Sequence, residues 1–301
     1  MLRPLRYLLA CFLYLSLPAW AGGVVLALSD SSGPYAEFSN TLAGALADTQ
    51  WKLAAIGPAD TVNLSAGRAE LIVTAGAGAL RQVLARNPQL PVLATLLPRQ
   101  SFERIVAEAG KPRVRIGAIW LDQPPARQAA FLRLLLPDQK RIGLLYSSET
   151  RSQFAPFRSS FAQAGLNLDG DEMEGDETLL SSLSGLLPRV GALLAIPDQT
   201  IYRRDNIKTV LVTAFRHHRP VIAFSAAFVN AGALAALYST PTQIARQAAD
   251  LILASGTALP APMPPAQFAI AVNYSVAQAF GLSIPDEAGI RRALLAEQES
   301  R

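Results

Sequence analysis

The stretch from Gly191 to Ser255 constrains the fold most, because it repeats one pattern of short apolar runs, polar loops and helical stripes. The runs at residues 192–196, 220–225 and 234–238 are short and continuous. Such runs are typical of parallel strands that helices cover on both faces of a sheet. In these sheets, ligands bind beyond the carboxyl ends of the strands. The stretch therefore predicts an α/β architecture with a site at the strand ends.

The last helix of this stretch is the best defined by its sequence. Thr240 is placed to cap it, Pro241 suits the first helical position, and Gln243 completes a capping box. Leu251 lies on an apolar stripe with residues spaced three and four apart, and Gly256 ends the pattern. The sequence predicts a capped helix with one buried face.

The same alternation of strand and helix patterns extends along the chain and places it in the α/β class. A length of 301 residues exceeds the usual single core and indicates two lobes. Further strands are predicted at residues 24–28, 51–56, 71–74, 91–96, 114–121, 141–146 and 268–272. The acidic residues 169–177 are assigned to a surface segment, because their spacing does not match a calcium-binding loop.

The N-terminus has the pattern of a secretory signal peptide. Arg3 and Arg6 precede an apolar run over residues 7–17, and a small-residue cleavage site ends at Ala21. The apolar run is too short to span a membrane. Cleavage after Ala21 is expected, and lipoprotein processing at Cys11 is the alternative.

Charge and cysteine content limit the function classes. The 27 Lys and Arg residues fall to 25 without Arg3 and Arg6, against 23 Asp and Glu residues, so a nucleic-acid partner is not expected. Cys11 is the single cysteine and precedes the folded part, which therefore has no disulfide.

Motifs of the second half and the end of the chain carry a resemblance to a known family. They are Pro197-Asp198-x-Thr200-x-Tyr202, Pro220-Val221-x-x-Phe224-Ser225, Gly232-Ala233-Leu234-Ala235, Arg246-Gln247-Ala248-Ala249, Val272-Asn273, Gly281-Leu282 and Ile284-Pro285. In this order they resemble the ABC-transporter substrate-binding proteins. The resemblance implies the type I periplasmic-binding fold, with two doubly wound parallel-sheet lobes joined by three hinge crossings.

The resemblance also implies how the chain divides and what it does. The implied segments are a signal peptide at 1–21, a first lobe at 22–118 plus 239–268, and a second lobe at 119–238 plus 269–301. The implied protein is a periplasmic monomer that captures a small polar ligand and delivers it to an ABC permease. The best-known members bind aromatic amino acids. No enzyme activity, cofactor or metal is expected. The alternative is a ligand-sensing module that reports to a membrane receptor or kinase.

Ten residues at predicted strand ends are candidates for lining a cleft between the lobes. They are Ser29, Ser31, Thr74, Ala75, Gly76, Tyr146, Ser147, Asp198, Thr200 and Ser225. Asp198 follows an apolar strand and a proline, so its carboxylate is placed to meet a ligand cation, to cap the helix at 202–215, or both. Ser147 and Ala226 depart from the family's aromatic-amino-acid binders, which usually have asparagine and aspartate there.

Other motifs favour simpler interpretations. The Gly-Ala-Gly segment at 76–78 opens a helix, and either holds a ligand carboxylate on its backbone amides or forms a tight turn. Arg81 stands where a dinucleotide fingerprint needs glycine. His217 and His218 are neighbours on a helix and do not share a face, which argues against a joint metal site. The sequence has no Gly-x-Ser-x-Gly elbow of a serine hydrolase.

Overall fold

The computed structural model describes residues 22–175 and 178–299, so the predicted signal peptide and Cys11 lie outside the described part. In chain order the elements are β1 (Gly22–Leu28), α1 (Gly33–Leu46), β2 (Trp51–Pro58), β3 (Ala69–Ala75), α2 (Ala77–Ala85), β4 (Val92–Thr95), α3 (Arg99–Glu108), β5 (Ile116–Ile119), α4 (Pro125–Leu135), β6 (Arg141–Tyr146), α5 (Arg151–Gln163), β7 (Asn167–Glu172), α6 (Leu179–Leu186), β8 (Ala192–Leu194), α7 (Arg204–Arg216), β9 (Val221–Ala223), α8 (Ala226–Asn230), β10 (Ala235–Tyr238), α9 (Pro241–Ser255), β11 (Ala269–Val272), α10 (Tyr274–Ala279) and α11 (Glu287–Glu299). None of these helices is long and apolar enough to cross a membrane.

The first lobe is built on a parallel sheet with the strand order β2-β1-β3-β4-β5. Successive residues of a strand point to opposite faces. Val24 and Leu26 of β1 therefore pack with α1 and α9 on one face, while Val25 and Ala27 pack with α2 and α3 on the other. Because both faces are covered, the strand is apolar throughout, as the sequence predicts.

The second lobe is built on a sheet with the order β11-β10-β9-β8-β6-β7, in which only the β10–β11 pairing is antiparallel. As in the first lobe, helices cover both faces of this sheet. Leu144 and Leu194 pack with α4, α5 and α11, and Leu145 and Leu193 pack with α6 and α7. Each lobe therefore has its own core on both faces of its sheet.

Three segments cross between the lobes, and hydrogen bonds join them to one another. They run from β5 to α4, from β10 to α9, and from α9 to β11. The Gln123 amide of the first donates to the Ser239 hydroxyl of the second at 2.8 Å. That hydroxyl donates to the Gln267 carbonyl of the third at 2.6 Å. The predicted arrangement of two doubly wound lobes joined by three crossings is confirmed.

The helix predicted around residues 240–256 is also confirmed. The Thr240 hydroxyl accepts a hydrogen bond from the Gln243 backbone nitrogen at 3.2 Å. The Gln243 side-chain oxygen accepts one from the Thr240 backbone nitrogen at 3.0 Å. These reciprocal bonds form the capping box. Ile244 and Ile252 are fully buried in the first-lobe core.

Two regions differ from the prediction. Residues 167–172 form the edge strand β7, which the assignment of residues 169–177 to the surface did not include. Its backbone pairs with β6 in parallel register, and Asp169 and Glu172 form ion pairs with Arg141 and Arg151. Charged side chains suit an edge strand, since they discourage pairing with another chain. The residues after β9 form a short helix, α8, whose first turn is capped by the Ser225 hydroxyl. No prediction covers α6.

Candidate functional site

Ser29 connects the ends of β1 and β3 in the first lobe. Its backbone nitrogen donates to the Ala75 carbonyl at 3.0 Å. Its hydroxyl accepts from the Ala79 nitrogen at 2.7 Å, in the first turn of α2. Ser29 itself is exposed, as is its neighbour Ser31. The predicted residues at these two strand ends therefore lie together.

Gly76 begins α2 in a conformation that only glycine adopts easily. Its φ is +94°, and an added Cβ would lie 2.5 Å from the Ser29 hydroxyl and 2.9 Å from the Tyr35 ring. Its nitrogen donates to the Thr95 carbonyl at 2.8 Å, so the amide is not free for a ligand. The close approach of Ser29 and Tyr35 favours the tight-turn interpretation of the Gly-Ala-Gly segment.

Tyr35 and Asp30 give the first-lobe site its polar character. Burial raises the pKa of the Tyr35 phenol, and the negative charge of Asp30 raises it further. Backbone N–H groups of Ser32 and Ser31 lower the pKa of Asp30. The phenol is therefore a neutral hydrogen-bonding group and the carboxylate stays charged near neutral pH.

Thr74 is fully buried near the end of β3. Its carbonyl accepts from the Thr95 hydroxyl at 2.8 Å. Its own hydroxyl has no hydrogen-bond partner among the described residues. A buried hydroxyl without a partner is unfavourable by about 1–3 kcal/mol, so Thr74 is a residue that a ligand or water would stabilise.

Asp198 joins the two loops that follow β6 and β8 in the second lobe. It is 2% exposed. One carboxylate oxygen accepts from the Ser147 nitrogen, the Ser147 hydroxyl and the Thr150 hydroxyl at 3.1, 2.8 and 2.6 Å. The other accepts from the Thr200 and Ile201 nitrogens at 3.0 and 3.1 Å. Five protein donors therefore share this carboxylate.

Of the two roles expected for Asp198, pairing with a ligand cation and capping the following helix, these contacts bear on the second. The residue before the first turn of α7 is Arg203, so Asp198 does not cap that helix. Its carboxylate instead holds Ser147 and Thr200 at fixed positions. Asp198 therefore positions Ser147 and Thr200 in the second-lobe site from the buried side of the two loops.

The remaining predicted residues of the second lobe differ in exposure and contacts. Tyr146 ends β6, is partly exposed and stacks on Phe154 with ring centroids 4.8 Å apart. The Ser225 hydroxyl is used as the cap of α8. Near them, Tyr202 packs against Phe224 and Phe228, and burial followed by the charge of Asp198 raises the pKa of its phenol.

Arg104 of α3 bridges the two lobes. Its guanidinium contacts the Glu149 carboxylate in the loop after β6. It also donates to the Gln199 side chain, in the loop after β8, at 3.2 Å. Both acceptors flank residues that Asp198 holds in place. The carboxyl strand ends of the two lobes therefore face each other across this contact.

A cavity lies between the lobes beside the first crossing, and its volume is about 180 Å³. The first lobe contributes Arg99 and Trp120 to its walls, the crossing contributes Asp122, and α5 contributes Gln153 and Phe157. The guanidinium of Arg99 lies 5.2 Å from the centroid of the Trp120 ring. The cavity thus combines apolar and polar groups from both lobes.

Asp122 caps α3 from outside that helix. One of its carboxylate oxygens accepts from the Arg99 nitrogen at 2.7 Å, a first-turn donor that the helix itself leaves free. The other oxygen has no hydrogen-bond partner within the described part of the chain. Burial raises the pKa of Asp122 to about 6, against the lowering effect of the Arg99 amide.

The sequence prediction did not select the residues around this cavity. Asp122 directly follows the predicted strand at 114–121, and Gln153 lies seven residues after the predicted strand end at Tyr146, beyond the reach of the strand-end rule. The sequence did contain one usable signal, the predicted strand at 91–96. By the same strand-end rule, its carboxyl end should also face the cleft. That end leads directly into Arg99 and α3.

Several solved structures share this fold. A domain from Streptococcus pneumonia in complex with L-Trp is 20% identical, with a TM-score of 0.59, and the match covers 88% of this chain and 96% of that one. A conserved domain protein from Vibrio cholerae is 18% identical, with a TM-score of 0.59 and coverages of 92% and 98%. A ligand-free, open substrate-binding protein with adhesive properties from Clostridium difficile is 14% identical, with a TM-score of 0.66 and coverages of 88% and 96%.

Two sequence comparisons differ in outcome, and a match to a family model identifies the family. A comparison with curated proteins finds no match. The family model described as ABC transporter substrate binding protein matches residues 49–291, which include strands of both sheets and all three crossings. The chain therefore belongs to the ABC transporter substrate binding protein family.

Proposed function

We propose that this protein is an exported solute-binding protein that captures a small polar ligand between its lobes and delivers it to an ABC permease. The observation that carries the proposal is the meeting of the strand ends of both lobes around unpartnered buried polar groups, with Arg104 bridging them. The family is one of substrate-binding proteins, which are non-enzymatic in general, so the proposal includes no enzyme activity.

The proposed mechanism is closure of the lobes about the three crossings. The bonds among Gln123, Ser239 and Gln267 hold the crossings side by side, so they can bend together as one hinge. The lobes divide at residues 22–118 plus 239–268 and 119–238 plus 269–301. Closure brings Arg104 onto the second lobe, and the closed shape is what a permease recognises.

The ten predicted strand-end residues border the proposed ligand site. Ser29, Thr74 and Tyr35 present hydroxyl groups from the first lobe, and Ser147 and Thr200 do so from the second. Asp198 acts by positioning the second-lobe hydroxyls. The L-Trp bound by the pneumococcal structure supports an amino-acid-sized ligand for this proposed site.

Export through the signal peptide places the protein in the periplasm as a soluble monomer. We expect cleavage after Ala21, because the sequence there has small residues at the required spacing. Intact-mass measurement of protein from the native host should give a chain that begins at Gly22. A diacylglyceryl group on Cys11 would instead show lipoprotein processing.

Mass spectrometry of solutes released from the purified mature protein tests the proposed function. One small molecule should be recovered in near-stoichiometric amount and should rebind in calorimetry. Conversion of that molecule to a product on incubation would contradict a pure binding role. A protein that releases and rebinds no solute would contradict the proposal itself.

A further inference from the structure

Unpartnered polar atoms cluster where the lobes meet. Within the described residues, nine buried side-chain nitrogen and oxygen atoms have no hydrogen-bond partner. Two of them belong to Thr74 and Tyr202. The other seven lie on the first turns of α3, α4 and α5, on the first crossing, and on the loop before α5, and they belong to Gln100, Ser101, Asp122, Gln128, Glu149 and Gln153.

Four of these six side chains are polar, uncharged and more than nine-tenths buried, and one of them, Gln128 of α4, is 3% exposed and lacks a partner for its amide oxygen. Gln100 is 4% exposed and lacks partners for both amide atoms, Ser101 is fully buried, and Gln153 is 6% exposed and lacks a partner for its amide nitrogen. Gln153 lines the interlobe cavity itself. Gln100 is one helical turn from Arg104, so both lie on the face of α3 that approaches the second lobe.

Each charged group near the cavity has at least one protein partner, while one oxygen of Asp122 and one of Glu149 have none among the described residues. Arg104 contacts Glu149, and Arg99 is held by Glu103 at 2.7 Å and by the Trp120 ring. The Asp198 carboxylate is shared by five donors from its own lobe. A zwitterionic amino acid needs a carboxylate for its ammonium group and a cation or helix terminus for its carboxylate. Because Arg99, Arg104 and Asp198 are engaged by these protein partners, they do not offer such a pair.

The groups left to a ligand are therefore mainly amides and hydroxyls. The Gln153 nitrogen can only donate, the Gln100 amide can do both, and the Ser101 hydroxyl can do both. Asp122 and Glu149 each offer one carboxylate oxygen, which accepts from hydroxyl or amide groups. The apolar walls, including Phe157 and the edge of Trp120, suit a compact ligand body.

We propose that the ligand is an uncharged solute whose hydroxyl or amide groups both donate and accept, and that Gln100, Ser101 and Gln153 recognise it. The inference rests on the proposed solute-binding function and specifies its ligand class. Such a solute satisfies donors and acceptors that the protein leaves buried, and it requires no additional charge to be desolvated.

Calorimetry with two panels tests the ligand class. The uncharged panel contains myo-inositol, D-ribose and uridine, and the zwitterionic panel contains L-tryptophan, L-tyrosine and L-leucine. Binding in the uncharged panel and none in the zwitterionic one supports the inference. Binding of an amino acid alone overturns the ligand class but leaves solute capture intact. An absence of binding in both panels at millimolar concentration counts against solute capture and the inference together.

Gln153→Met tests the recognition residue, with Gln163→Met as the matched control. Gln163 is exposed near the end of the same helix. Methionine keeps the length of the side chain but removes the unpartnered donor. Binding of the panel member that binds wild type should weaken by about 10-fold or more in Gln153→Met and stay unchanged in Gln163→Met.

The melting temperature without ligand separates recognition from a structural role. Removing a donor that has no partner should leave the melting temperature of Gln153→Met equal to or above that of wild type. A fall of about 2 °C or more, together with weaker binding, would assign Gln153 a structural role and overturn the inference. Unchanged affinity would overturn it as well. Gln100→Met should likewise weaken binding without lowering the melting temperature of the ligand-free protein.

Discussion

At the scale of single residues, Asp198 shows how a correct position can carry a different role. The sequence places it directly after a buried strand, and the structure confirms that position. What the sequence could not show is that Ser147 and Thr150, about fifty residues earlier, supply three of its hydrogen bonds. Contacts over such separations follow from the tertiary fold and not from local pattern.

Asp198→Ala is therefore expected to reduce stability strongly. It leaves five buried donors without an acceptor, and the free energy of unfolding should fall by about 3 kcal/mol or more. Asp205→Ala is the matched control, because Asp205 is exposed in the first turn of α7 and should lose only about 0.3–1 kcal/mol. Urea unfolding monitored by circular dichroism compares the variants. Equal midpoints would show that the Asp198 network contributes little.

Asp122 is expected to make the free energy of unfolding depend on pH. Its pKa in the folded state is about 6, above the usual value of 3.8, because the carboxyl group is buried. Folding therefore favours the protonated carboxyl group over the ionised one. The contribution of this protonation to stability is complete below about pH 4 and is lost as pH rises through 6.

Asp122→Asn should remove this dependence while keeping the acceptor for the Arg99 amide. The variant should match wild type near pH 4 and exceed it by about 2–3 kcal/mol at pH 7.5. Unfolding free energies measured at several pH values test this expectation. A difference between the two proteins that does not change with pH would mean that Asp122 titrates normally.

At the scale of elements, local patterns predicted the helices and strands whose signals are complete within a few residues. Helix α9 has its cap, its proline and its apolar stripe in one segment, and it was predicted correctly. The edge strand β7 was not predicted, because its acidic sequence has no apolar run and it forms by backbone pairing with β6, which is distant in sequence. Short helices such as α8 also escape prediction, since one turn has no periodicity to detect.

The buried stripe of α9 provides a matched pair of leucines. Leu251 is 8% exposed and Leu253 is 39% exposed. Leu251→Ala should lower the free energy of unfolding by about 2–5 kcal/mol, whereas Leu253→Ala should cost well under half as much. Denaturant midpoints of the two variants give the comparison. A larger loss for Leu253→Ala would contradict the orientation of the helix against α1 and the first sheet.

At the scale of the whole molecule, the resemblance predicted the two lobes and three crossings, and the structure confirms both. The bonds from Gln123 to Ser239 and from Ser239 to Gln267 join residues far apart in sequence, so no local pattern revealed them. The strand-end rule selected the Ser29 and Asp198 groups and did not select the polar side chains of α3 and α5. Those residues lie on first helical turns, where burial depends on how the lobes meet.

We propose that the lobes close around a solute, and small-angle X-ray scattering measures this closure. The mature protein is measured after its bound solute has been removed by partial unfolding and dialysis, and again after that solute is restored. We expect a smaller radius of gyration with the solute, because Arg104 can reach Glu149 and Gln199 only when the lobes are together. An unchanged radius, with the solute shown to be bound, would contradict it.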